Sequence, residues 1–209
     1  MIKDILVNLS YGTSQDGVSN CALSVAETFG AHVTGIAFHP AVLGGVDLPA
    51  NFIRAQQGEA QERAQAVATA FDEATRRAGV SAETRRIEAD TGDIPGQFAQ
   101  IARRFDLSVI GQLERDRDHR TASIVIEAAL FESGRPVLIV PFIQKDGLKL
   151  DHVMVCWDGS RAATRAIADA MPFLTRSGKT SVVVADAHSA KSTELPDIAT
   201  HLSRHGVNA

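Results

Sequence analysis

Residues 82–111 read AETRRIEADTGDIPGQFAQIARRFDLSVIG, and their reading decides the fold. Residues 82–89 alternate as a half-buried strand does, 93–104 carry apolar side chains at helical intervals with Pro95 tolerated in the first turn, and 106–111 form a short apolar run suited to a buried strand. Strand, helix and strand make a crossover unit, which is the connection that parallel strands require.

The same grammar extends in both directions. Towards the N-terminus, residues 2–9 are a β-rich run, 10–14 are rich in turn formers, and Val18, Ala22, Val25, Ala26 and Phe29 follow at helical spacing until Gly30. Residues 31–39 predict a second strand, 40–49 a loop, and 51–78 a long amphipathic helix with Ile53, Ala60, Ala64, Val67 and Phe71 on one face and Gly79 as its stop. Towards the C-terminus, a polar loop over 112–121 precedes a helix over 122–132, and Gly134-Arg135 leads into the strand Pro136, Val137, Leu138, Ile139, Val140, Pro141. Five strands thus alternate with four helices, which predicts an open, mostly parallel α/β sheet with helices on both faces over residues 1–143.

Residues 144–150, QKDGLKL, read as a linker, after which the pattern restarts with a strand over 151–157, a helix over 160–176 and a strand over 179–187. An offset of 148 lays Val153-Met154-Val155 over Ile5-Leu6-Val7 and, without gaps, Gly178 over Gly30 and the second strands over each other. Near the end, RHGVNA at 204–209 resembles RAGVSA at 77–82, at an offset of 127. The repeat therefore runs to the last residue, and residues 151–209 read as the opening part of a second copy. Nothing matches 83–143, and two explanations stand: a truncated tandem protein, or a natural half-domain that packs on a partner subunit.

Composition bounds the function. The 209 residues are 44% hydrophobic and 22% charged, which excludes disorder and small disulfide scaffolds. With 21 basic against 25 acidic side chains, the formal net charge of −4 gives no global field towards nucleic acid or anionic lipid. No uncharged run reaches the length of a membrane span, and Cys21 and Cys156 form no paired framework, so the expected setting is cytoplasmic, with no nucleic acid or membrane as partner. Both cysteines read as small buried hydrophobes.

The stretches ILVNLS, AETFGAHVTGIAFHP, DLSVIGQ and ESGRPVLIVP, followed by VMVCWDGSRAATRAIADAMPFL, resemble the universal stress protein family in its tandem form. The resemblance covers essentially the whole chain. Its strongest elements are the turn Asp158-Gly159-Ser160, the strand at 106–111, and Gly134-Arg135-Pro136-Val137. It implies a doubly wound five-stranded sheet of order 3-2-1-4-5, of the adenine nucleotide alpha hydrolase-like kind. It also implies dimerisation or domain pairing along the fifth strand and, in some members, ATP or AMP above strands one and four.

The nucleotide site can be followed residue by residue. Such a crevice opens where strand order reverses, beyond the carboxyl ends of strands one and four. Members that bind ATP carry Gly-x-x-Gly, nine residues, then glycine and a hydroxyl, so that backbone N–H groups converge on phosphate at a helix N-terminus. Of that motif only Gly111 is present here; Glu114 stands at the second glycine, and Ile124-Val125 stand at the final pair. Glu114, Asp116 and Asp118 would repel phosphate, while Arg115, Arg117 and Arg120 read as a solvated alternating loop. Ser10 replaces the family's adenosine-contacting Asp in the first copy, whereas Asp158 stands there in the second. Asp158, Gly159 and Ser160 therefore have two readings, nucleotide contact or turn and helix cap.

Other chemistry is thin. His201 and His205 stand four apart on a predicted helix without an HExxH glutamate, and Asp186 and His188 share a strand face near its end. No GxSxG, GxxxxGK[ST] or GxGxxG occurs, so no nucleophile or phosphate loop supports an enzyme. The expectation is a non-enzymatic stress-response protein that acts by pairing or scaffolding, with no certain cofactor. The alternative is an ATP or AMP sensor in which a complete second domain binds the nucleotide.

Overall fold

A computed structural model of the chain describes residues 1–9, 15–41, 49–112, 119–184 and 194–209. They form two compact units, Met1–Leu148 and Lys149–Ala209.

The first unit runs β1 (Asp4–Asn8), α1 (Gln15–Phe29), β2 (His32–Pro40), α2 (Ala50–Ala78), β3 (Ala82–Ala89), α3 (Ile94–Ala102), β4 (Leu107–Gly111), α4 (His119–Glu132) and β5 (Val137–Val140). Its sheet is parallel throughout, in the order β3-β2-β1-β4-β5, which is the 3-2-1-4-5 arrangement expected. The two central strands are apolar on both faces because helices cover both. Leu6, Ile36 and Ile110 pack on one face with Ile94, Phe98, Val125 and Ala129 of α3 and α4. Asp106 ties the start of the sheet, its Oδ2 accepting from the backbone N–H of Lys3 at 2.7 Å and of Asp4 at 3.1 Å.

The two edges differ. The β3 edge carries Glu83, Arg85, Arg86 and Glu88, all exposed, which guards it against further pairing. The β5 edge, VLIV, has no charge and leaves Ile139 exposed. One boundary moves from the sequence expectation: α4 begins at His119, inside the expected loop, since His119, Arg120 and Thr121 contain no helix breaker.

The second unit runs β6 (His152–Cys156), α5 (Arg161–Leu174), β7 (Lys179–Val183) and α6 (Glu194–Arg204), with β6 and β7 parallel. Val155, Ile167, Leu174, Leu202 and Val207 form its buried core on one face of the sheet. The other face is bare, with Met154 63% and Val183 42% exposed, where their counterparts Leu6 and Ile36 are fully buried. Cys156 lies on that face and is exposed, which corrects its reading as a buried hydrophobe: an apolar strand buries both faces only when both are covered. Cys21 is buried as expected, and burial pushes its thiol up, away from the reactive thiolate.

The repeat also needs one correction. Asp4 pairs with His32 and His152 with Lys179, so the first strands are offset by 152 − 4 = 148 but the second by 179 − 32 = 147. The connection from the first strand to the second is one residue shorter in the second unit, and Gly178 does not do the work of Gly30. Gly30 takes a left-handed φ of 60°, whereas Gly178 has no positive φ and is required because a Cβ would lie 2.9 Å from the carbonyl oxygen of Asp151. Among the described residues, no helix is long and apolar enough to cross a membrane.

Candidate functional site

The reversal of strand order in the first unit lies between β1 and β4, and the crevice beyond their carboxyl ends is the default ligand position of such a sheet. Gly111 sits there, buried, as the last residue of β4 and paired with Val140; the Gln112 N–H continues the ladder to the Val140 carbonyl at 2.8 Å. Ser10, Glu114, Arg115, Asp116, Arg117 and Asp118 lie outside the described residues, as do Asp186 and His188 in the second unit.

The final pair of the phosphate motif can be placed. Ile124 and Val125 fall inside α4, five and six residues after its first residue, His119. Backbone N–H groups are free only in the first turn of a helix, so those of Ile124 and Val125 are bonded within α4 and face no ligand. Val125 is fully buried in the cluster with Leu6 and Ile110, and Ile124 is half exposed. The place of a phosphate-binding glycine and hydroxyl has become core packing on one side and apolar surface on the other.

In the second unit, Asp158, Gly159 and Ser160 come together in one turn. Gly159 takes φ 73°, a left-handed conformation that a side chain would strain. The Ser160 N–H donates to Asp158 Oδ1 at 2.9 Å, and Ser160, extended at φ −78° and ψ 161°, caps α5 by accepting from the Ala163 N–H at 3.0 Å. Hydrogen bonds from the Ser160 side chain, then from its backbone N–H, hold the Asp158 carboxyl below the usual carboxylate range. All three residues are thus engaged in turn and cap chemistry, the second of the two roles open to them.

Sequence reasoning missed a groove that recurs in both units between the first two helices, at the carboxyl end of the first strand. In the first unit it has a volume of about 110 Å³ and is lined by residues that include Leu9, Ser19, Asn20, Phe71 and Ala74. In the second it is about 260 Å³, lined by Trp157, Thr164, Ile167, Ala168, Met171, Ile198, His201 and His205. The spacing of the two histidines was visible in HLSRH, but the groove depends on how far apart two helices stand, which no spacing encodes. Their ring centroids lie 4.7 Å apart, with the planes tilted by 58°.

No protein-family profile and no curated protein matches the chain. Solved structures do. Universal stress protein UspA from Lactobacillus plantarum is 15% identical, with 66% of this chain and 97% of that one covered and a TM-score of 0.52. A universal stress protein from Archaeoglobus fulgidus DSM 4304 is 18% identical, with 98% of this chain and 74% of that one covered and a TM-score of 0.70. The chain has the fold of these proteins.

Proposed function

We propose that this chain, which has the universal stress protein fold, is a member of that family and works without catalysis, by pairing, with no nucleotide held in its first unit. The observation that carries the reading is the position of Ile124-Val125 inside α4, beyond its first turn, where a phosphate would need free N–H groups. The surface around β5 supports pairing: Ile139 on the strand, Leu130 and Phe131 on α4, and Phe142 and Ile143 just beyond β5 are all exposed, Phe131 to 83%. An uncharged edge strand beside exposed apolar side chains favours a second copy that continues the sheet. A nucleotide-sensing role for the second unit would draw on Asp158 and Ser160, whose hydrogen bonds within the turn favour the structural reading instead.

Calorimetry of the whole chain with ATP and with AMP is expected to give no heat, and light scattering is expected to give a dimer that Ile139→Lys converts to a monomer. Micromolar binding retained in Asp158→Ala would return the nucleotide to the first unit. Binding abolished by Asp158→Ala would move function to the second, and a concentration-independent wild-type monomer would remove the pairing.

A further inference from the structure

We infer that His201 and His205 form a binding site for a divalent transition cation of the Cu2+ or Ni2+ class, at the mouth of the groove between α5 and α6. The HLSRH spacing puts His201 in the last turn of α6 and His205 just past its end, and both are exposed. A metal–imidazole bond of about 2.0–2.1 Å, continued to the middle of the ring, places each ring centroid about 3.2 Å from a shared metal. Two rings at 90° about that metal have centroids about 4.5 Å apart, and two at the tetrahedral angle about 5.2 Å. The observed 4.7 Å lies within this range, and the Irving–Williams order makes Cu2+ and Ni2+ the ions that a pair of imidazoles holds most tightly.

Three further features fit. The carbonyl end of α6 carries the negative end of the helix dipole, which attracts a cation. Among the described residues no third His, Cys, Asp or Glu completes a cluster with the pair, so the remaining positions are left to water or to an outside ligand, and the adjoining 260 Å³ groove gives that ligand room. The fold itself does not call for imidazoles here, since at the offset of 127 the first unit has Ala74 and Ala78 at these positions.

The test uses the only tryptophan in the sequence, Trp157, which lines the same groove. Titration of the whole chain with Cu2+, and separately with Ni2+, should quench Trp157 fluorescence saturably at about one equivalent, and electron paramagnetic resonance of bound Cu2+ should show two imidazole nitrogens. His201→Ala and His205→Ala should each raise the half-saturating concentration by about tenfold or more. His152→Gln, on the bare face of β6, should leave it unchanged. Circular dichroism of the variants confirms that these exposed substitutions leave the fold intact. Quenching that does not saturate, or a midpoint and a two-nitrogen spectrum retained in His201→Ala, would overturn the site.

Discussion

Gly35, in the middle of β2, is the position where the first unit depends most on the absence of a side chain. A Cβ built there would lie 2.8 Å from Phe71 Cε1 and 2.9 Å from Leu9 Cδ1. Phe71 is 2% exposed, so α2 is held against the sheet by a ring that rests directly on the Gly35 backbone. Valine would suit an isolated strand better than glycine, but here it must displace a buried aromatic ring, and overpacking of this kind costs about 1–3 kcal/mol. Gly35→Val should therefore lower the stability of the first unit by that amount in urea denaturation, with the slope of the transition unchanged; a neutral or stabilising result would show that Phe71 has room to move.

At the scale of elements, the strands and helices were legible because each buries a regular stripe, as in the alternation of β3 and the Ala60, Ala64, Phe71 face of α2. Cys156 was not, since its burial depends on whether anything covers the outer face of β6, and residues 151–157 look the same in either case. The shift from 148 to 147 was also hidden, because one residue lost from the connection between two strands leaves the apolar pattern of each element intact. Of the candidate site, the degeneracy of the phosphate motif was readable, but its structural outcome was not: only the start of α4 at His119 puts Ile124 and Val125 beyond the first turn. The turn before α5 was readable as chemistry with two uses, and its hydrogen bonds now support a prediction. Ser160→Ala removes the acceptor for the Ala163 N–H and should cost the second unit about 1 kcal/mol. The pH dependence has a definite sign. The Asp158 carboxyl is lowered in the folded state, so its contribution is present above the unfolded value and is lost as pH falls through the folded one. Stability of the second unit should thus decline in acid with a component that Asp158→Asn abolishes, measured by denaturation across that range; an identical acid profile in the variant would refute the linkage.

For the whole molecule, the two units are built to very different depths. The first buries a five-stranded sheet between helices on both faces, with Ile5, Leu6, Val7, Ile36, Phe71, Phe98, Val109 and Ile110 all at 2% exposure or less. The second buries one face of two strands against α5 and α6, and among the described residues its buried core is five side chains. A unit of about 60 residues hides only about 60% of the surface its unfolded chain exposes even with both faces covered, and here Met154 and Val183 remain in water. Hydrophobic stabilisation scales with the area removed from water, so the second unit should unfold first. Trp157 packs against that smaller core and is the only tryptophan, so its fluorescence reports on the second unit alone, while far-ultraviolet circular dichroism is dominated by the helices of the first. In a urea titration the Trp157 transition should precede the main dichroism transition, with a dichroism step of minor amplitude at the fluorescence midpoint. Coincident transitions by both probes would mean that the bare face of β6 is covered in solution or that the units unfold as one cooperative body, and light scattering across the same titration separates the two, since cover supplied by a second copy would be lost with the dimer.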